Sequence, residues 1–128
     1  MSDIEIQKQI DYWRDGSDED WVVAEELIET ERIRHELFFA HLALEKMLKA
    51  HVCRETEHLA PKIHNLVRLA KLSKLPFSKP HEIFLSRFDM YQLEGRYPDR
   101  LPAPPKKSEA KKELQTAREV RQWLKKQL

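Results

Sequence analysis

The stretch from residue 32 to residue 54 constrains the fold more than any other part of the chain. Its side chains form one long stripe at helical spacing, and Phe38, Leu42 and Val52 form a second apolar stripe beside it. A helix with two such stripes needs cover on both sides. We therefore expect it to lie at the centre of a bundle or to be shared with a second copy of the chain. The long stripe comprises Ile33, Leu37, Ala40, Leu44, Met47 and His51.

The composition supports an all-helical fold. The 128 residues include only two glycines, and 35% are charged, whereas sandwiches and barrels need many glycine-rich turns. The sequence therefore predicts an all-α fold, an up-and-down antiparallel bundle of four to five helices. The single cysteine, Cys53, cannot form an intrachain disulfide. No apolar run approaches the roughly 20 residues of a membrane span, so we expect a cytoplasmic protein with no membrane contact.

Local signals at the N-terminus predict a division near residue 17. We expect a polar N-terminal segment, residues 1–17, with a short helix that ends near Gly16, followed by a helical domain over residues 18–128. Ser17 is predicted to cap a first helix over about residues 18–31, because three acidic residues follow it and favour a helix start.

Prolines divide the rest of the chain. Pro61 is predicted to open a third helix that Pro76 ends, and Pro80 to open a fourth, lined by Ile83, Phe84, Phe88 and Tyr91. Gly95 is placed to end that helix. Residues 98–105 are proline-rich and predict an extended connector. Ser108 is predicted to cap the last helix, whose inner face is Ala110, Leu114, Ala117, Val120 and Leu124.

The charges are unevenly distributed. Residues 1–31 carry eleven acids and two bases, for a net charge of −9, and residues 106–128 carry eight bases and three acids. One interpretation is that the acidic first helix and the basic last helix are neighbours with complementary faces. The other is a basic surface that attracts RNA or a nucleotide.

The polar residues of the second helix form the first candidate site. His41 and Glu45 are one helical turn apart, as are Glu45 and Lys49, and Lys46 lies beside them. Polar groups on a buried helix require partners. The residues permit either a salt bridge at the edge of the core or a pocket in which Lys46 or Lys49 meets a phosphate.

Two further features contribute candidates. His64 is placed three residues into the predicted third helix, as a structural histidine or a ligand. After the fourth helix, Pro98 disfavours helical geometry at Tyr97 and leaves Arg96 at a helix C-terminus. Either Arg96 pairs with Asp99 as a structural clasp, or Arg96 is presented to a phosphate and Tyr97 to a base.

Three short motifs resemble those of the HEPN domain family. The first is Ala-x-Glu-Lys-x-Leu-Lys-Ala, which here covers Ala43–Ala50. The second resembles Lys-x-His-x-Leu and covers Lys62–Leu66. The third, Arg-Tyr-Pro-Asp, matches Arg96–Asp99 in full. Together they extend the resemblance over about residues 18–128.

The resemblance implies a helical bundle that is usually a homodimer, here through the second helix. In prokaryotes such proteins are often encoded beside a minimal nucleotidyltransferase, in modules of the toxin–antitoxin type. Some members are proposed to bind nucleotides, and others are metal-independent RNases that act as toxins. Seven residues are then candidates to bind a nucleotide or an RNA phosphate: Glu45, Lys46, Lys49, His64, Arg96, Tyr97 and Asp99.

The ribonuclease members carry an Arg-x(4–6)-His motif near the start of a late helix, and this sequence has no histidine after His81. The leading hypothesis is therefore a non-catalytic HEPN protein, with no catalytic residue, metal or cofactor. The alternative is an RNase with a divergent site, which draws on Arg96 with His64 or on Arg34 with His41.

Overall fold

Five α-helices surround a common core in the computed structural model, which describes residues 1–94, 101 and 103–128. No strand occurs in these ranges, and the predicted all-α bundle is confirmed. The helices are α1 (Asp3–Leu27), α2 (Ile33–Thr56), α3 (Leu66–Ser73), α4 (Lys79–Phe88) and α5 (Lys107–Gln127), with a 3₁₀ helix at Asp89–Tyr91.

The central helix is α2, as predicted. It contacts α1, α3, α5 and the 3₁₀ helix, so its long apolar stripe is covered within the chain from Leu37 onward, and its second stripe is covered in part. Val52, from the second stripe, is 1% exposed, whereas Phe38 and Leu42 remain half-buried. Each large apolar side chain that α2 buries stabilises the folded state by about 1.5–3 kcal/mol, compared with leaving that side chain exposed. These fully buried residues include Leu37, Leu44, Met47 and Leu48.

The predicted break in the first helix is wrong. Helix α1 begins at Asp3, after a capping box in which the Ser2 hydroxyl accepts from the Glu5 amide and the Glu5 carboxylate accepts from the Ser2 amide. It continues through Gly16 because its first turns have a surface to pack on. Ile6 and Ile10 join Ala50 and Cys53 of α2 in a small apolar cluster. The predicted boundary at residue 17 therefore lies inside α1.

Gly16 and Ser17 serve the contact between α1 and α2 and do not end a helix. A Cβ atom at Gly16 would lie 3.1 Å from Cδ of Lys46, so glycine leaves room for the Lys46 side chain. Ser17 is fully buried, and its hydroxyl donates to the carbonyl oxygen of Ala43 at 2.6 Å. The prediction that Ser17 is an N-cap is therefore wrong.

The third helix begins later than predicted. Asn65 is its N-cap, and the Asn65 side chain accepts from the amide of Arg68 at 2.9 Å. Pro61 lies four residues before this cap in non-helical chain, so it does not open the helix. His64 precedes α3, and its side chain is not fixed by helical geometry.

The fourth helix starts close to the predicted place. Ser78 caps it, and Pro80 lies in its first turn. Phe84, Phe88 and Tyr91 are buried as predicted, but Ile83 is 53% exposed and Leu85 is buried instead. Helix α4 ends at Phe88 and the 3₁₀ helix that follows ends at Tyr91, so the prediction that the fourth helix runs to a stop at Gly95 is wrong. Half of the predicted connector, residues 98–100 and 102, lies outside the described residues.

The last helix begins at Lys107, and its N-cap, Lys106, makes no side-chain cap bond, so the predicted cap at Ser108 is wrong. The five predicted inner residues of α5 are all buried. Trp123, near the end of α5, packs against Phe77, and the two ring centroids are 5.0 Å apart. In the described part of the chain, no helix is long and apolar enough to cross a membrane.

Ion pairs join the acidic first helix to the basic last helix, which confirms the interpretation of complementary faces. Arg121 and Lys125 contact Asp18 at 2.7 and 3.0 Å, and Arg118 contacts Glu25 at 2.8 Å. Burial opposes ionisation of Asp18, but hydrogen bonds from Arg121 and Lys125 outweigh that effect and lower the pKa of its carboxyl.

The buried hydrogen bond of Ser17 leads to a first prediction. Ser17→Ala removes the donor to the Ala43 carbonyl and should lower the free energy of unfolding by about 1 kcal/mol, measured by urea denaturation. Ser108→Ala is the matched control, because Ser108 is exposed and caps nothing. Equal effects of the two substitutions would show that the Ser17 bond does not stabilise the contact between α1 and α2.

Candidate functional site

A polar cluster lies where α2 meets the start of α3 and the 3₁₀ helix. We define it as His41, Glu45, Lys49, His64 and Asp89. Helix α2 supplies the first three at successive turns on one face. His64 comes from the chain before α3, and Asp89 is the first residue of the 3₁₀ helix. Five ionisable side chains from three segments therefore share one place in the bundle.

The Glu45 carboxylate is the common acceptor of the cluster. Its side chain is 4% exposed, and its Oε2 atom accepts from Lys49 Nζ at 3.1 Å and from His64 Nδ1 at 3.0 Å. The Oε1 atom lies 3.9 Å from Nδ1 of His41. Such contacts offset the several kcal/mol that burial of an isolated charge costs.

Lys49 has a second contact on its other side. Its ammonium lies 5.0 Å from the centroid of the Trp13 ring, on α1, and its side chain is 6% exposed. A cation held over an indole face at this distance is attracted by the ring. Lys49 is therefore enclosed between a carboxylate and an aromatic ring and is not open to solvent.

Asp89 caps the start of α3, although it lies 23 residues later in the sequence. Its carboxylate accepts from the amide of Leu66 at 3.0 and 3.2 Å, and its Oδ1 atom lies 3.0 Å from His41 Nε2. The first amides of a helix have no acceptor within the helix, so a carboxylate there is favoured by hydrogen bonding and by the helix dipole. Through Asp89, the fully buried His41 is connected to the turn that carries His64.

His64 is the most exposed member of the cluster. Its side chain is 48% exposed, and its Nδ1 atom faces Glu45. A carboxylate can only accept, so Nδ1 carries the proton and the opposite nitrogen, Nε2, faces outward. There, Nε2 lies 3.6 Å from the carboxylate of Glu94, which is itself 51% exposed. The cluster therefore presents one oriented imidazole nitrogen at its outer edge.

The structure brings together three of the seven predicted binding residues, Glu45, Lys49 and His64. Lys46 does not join them, because its ammonium pairs with Asp20 of α1 at 2.8 Å. Arg96, Tyr97 and Asp99 lie outside the described residues. The Glu45–Lys49 salt bridge predicted as one alternative is present, and His64 extends it.

Sequence reasoning missed Asp89, Trp13 and Glu94. Asp89 directly follows α4, and the residues around it give no signal that its carboxylate caps α3, which begins 23 residues earlier. Although the cluster has two histidines and two carboxylates, the described ranges contain no group of three such side chains arranged to hold a metal ion.

The HEPN domain family matches residues 10–127 of the chain. The protein belongs to the HEPN family. The match begins within α1 and ends at the last residue of α5, so it covers the whole polar cluster. Of the three motifs that carry the resemblance, the first two supply Glu45, Lys49 and His64.

The fold of this HEPN domain is also similar to a solved structure. The crystal structure of TT1696 from Thermus thermophilus aligns with a TM-score of 0.75 and 21% sequence identity, over 94% of this chain and 98% of that chain. At that identity, the likeness concerns the fold alone. No curated protein matches the chain.

The burial of the Glu45–Lys49 pair generates a second prediction. Glu45→Ala leaves the Lys49 ammonium in the core without its carboxylate and should cost about 3–5 kcal/mol of unfolding free energy. The double variant Glu45→Ala/Lys49→Ala should cost at least about 1 kcal/mol less than the sum of the two single variants.

Urea denaturation of the four proteins of this cycle measures the coupling. The exposed pair Lys79 and Glu82, 4.0 Å apart, is the matched control and should show no measurable coupling. Additive costs at Glu45 and Lys49 would contradict a coupled buried pair.

Proposed function

We propose that this protein is a non-catalytic HEPN domain that binds a phosphate group of a nucleotide or of RNA at the outer edge of the polar cluster. The observation that carries the proposal is the orientation of His64. Its Nδ1 atom is held by the buried Glu45, and its Nε2 atom lies 3.6 Å from the half-exposed Glu94, on a ring that is itself half-exposed. A protonated imidazole held in this way donates a charge-assisted hydrogen bond to a phosphate oxygen.

The charges of the cluster limit which residues can attract an anion. Glu45 and Lys49 largely neutralise one another and are buried, so neither is offered to a ligand. The positive charge must come from His64 and from Arg96, which follows Glu94 by two residues in the sequence. Glu94 is half-exposed, so its side chain can turn away from Nε2 when a phosphate arrives.

From the family motif, we assign Arg96 to the same phosphate and Tyr97 to stacking on a base, with Asp99 as the partner that orients Arg96. Lys46 is not assigned to this site, because it pairs with Asp20 on α1.

The burial of His41 favours binding over catalysis. Acid–base cleavage of RNA without a metal uses groups that reach both the attacking and the leaving oxygen. His41 is fully buried and is held by Asp89, so His64 is the exposed histidine of the cluster. The version of the ribonuclease hypothesis that pairs Arg34 with His41 therefore gains no support from the position of His41.

HEPN domains commonly dimerise, and we propose a homodimer through α2, where Phe38 and Leu42 stay half-buried one turn apart. We also propose a minimal nucleotidyltransferase as partner, in a module of the toxin–antitoxin type. This pairing rests on family membership.

The experiment is a titration of the protein with ATP and with a short RNA, followed by NMR and calorimetry in EDTA. His64→Asn should weaken binding by about tenfold, because one charge-assisted hydrogen bond contributes about 1.5 kcal/mol or more. His58→Asn, at an exposed histidine outside the cluster, is the matched control and should bind as the natural protein does. Equal binding by the two variants would refute a phosphate site at His64.

The alternative is a metal-independent endoribonuclease with a divergent site. The specific observation in its favour is the same Glu45–His64 pair, since a carboxylate that orients a histidine also suits it to act as a general base. Cleavage of the RNA in EDTA by the natural protein, lost in His64→Asn and retained in His58→Asn, would replace the binding proposal with this one.

A further inference from the structure

A groove between α3 and α4 lies apart from the polar cluster. Its apolar wall is formed by Val67 and Ala70 of α3, Leu75 and Phe77 of the connection, and Leu85 of α4. Its cavity has a volume of about 220 Å³. No member of the polar cluster lines it, so this groove is a separate feature of the molecule.

Hydrogen bonds hold the segment between α3 and α4 that forms part of the groove. The buried Ser73 hydroxyl donates to the carbonyl of Ala70 at 2.6 Å and accepts from the amide of Leu75 at 3.3 Å. The amide of Phe77 donates to the carbonyl of Leu75 at 3.0 Å, and the Phe77 ring packs on Trp123. A site whose walls are already ordered loses little conformational freedom when it is occupied.

The volume of the groove limits what can fill it. Small-molecule sites usually measure about 300–1,000 Å³, so 220 Å³ is too small for a nucleotide. An apolar cavity of about 150 Å³ is large enough to take up benzene. The groove therefore fits one aromatic side chain and not a larger free ligand.

The charges at the rim of the groove favour acidic residues next to the inserted aromatic side chain. Lys71 and Lys74 both line the groove on the α3 side. Lys71 is exposed and has no ion pair among the residues that the structure describes, and Lys74 is 75% exposed beside Glu55 at 3.4 Å. On the α4 side, the Glu82 carboxylate is offset by Lys79 at 4.0 Å. The rim therefore keeps a net positive charge.

The end of α3 places Lys74 at the rim of the groove. Lys74 ends α3 with φ of 57°, in the left-handed region that favours glycine at this position of a helix terminus. A lysine there strains the backbone, and it places a cation at the rim of the groove.

We propose that the α3–α4 groove is a docking site for a short acidic segment of a partner protein, which inserts one aromatic side chain between Val67 and Leu85 and sets its carboxylates against Lys71 and Lys74. The proposal is independent of phosphate binding at His64.

The test uses a capped pentapeptide, Asp-Glu-Phe-Glu-Asp, titrated into the labelled full-length protein and followed by NMR. The amide signals of Val67, Ala70 and Leu85 should shift, and replacement of the phenylalanine by alanine in the peptide should abolish the shifts. A peptide with lysines in place of the acids should bind at least about threefold more weakly, the size expected for exposed charge contacts.

Protein variants separate the groove from general charge attraction. Lys71→Glu/Lys74→Glu should weaken binding of the acidic peptide at least about threefold. Lys111→Glu/Lys112→Glu, a matched change at exposed lysines of α5 away from the groove, should leave binding unchanged. No shift at the three groove amides, shifts without the phenylalanine, or equal binding by both variants would overturn the proposal. A response of these amides to RNA and not to the peptide would overturn it as well.

Discussion

The buried carboxylate of Glu45 is the group on which the rest of the structure most depends. It lies on the central helix, where an unpaired charge would cost several kcal/mol. Its partners are Lys49, one turn along the same helix, and His64, from the connection between α2 and α3. Through His64, that connection contacts α2 at the level of Glu45. Asp89 then holds the start of α3 in place and joins it to His41.

The sequence predicts well those elements whose signal is periodic. Both α2 and α5 have long apolar stripes. The predicted inner face of α5 is buried throughout, and the long stripe of α2 is buried from Leu37 to His51, whereas Phe38 and Leu42 of its second stripe stay half-buried. The errors lie at helix starts, where a local signal competes with distant packing. Ser17, followed by three acids, looks like an N-cap, but the packing of Ile6 and Ile10 on α2 keeps the helix continuous. Pro61 looks like a helix start, but α3 begins only after its N-cap, Asn65.

The same distinction holds in the polar cluster. Glu45 and Lys49 are one turn apart, so any helix brings them together, and their pairing was predictable. Lys46 is one residue from Glu45, which turns it by about 100° onto the side that faces α1. On that side, the Lys46 ammonium forms a salt bridge with Asp20. The cap that Asp89 provides joins segments far apart in the sequence, so it required the fold.

The tautomer of His64 tests the central role of Glu45 most directly. The nitrogen-15 chemical shifts of the imidazole, measured with the ring in its neutral form, report which nitrogen carries the proton. If the Glu45 carboxylate holds His64, the proton of the neutral ring lies on Nδ1, and Nε2 is the atom that takes a second proton when the ring donates to a phosphate. A proton on Nε2 with Nδ1 bare would mean that Glu45 does not orient the ring, and would contradict the account.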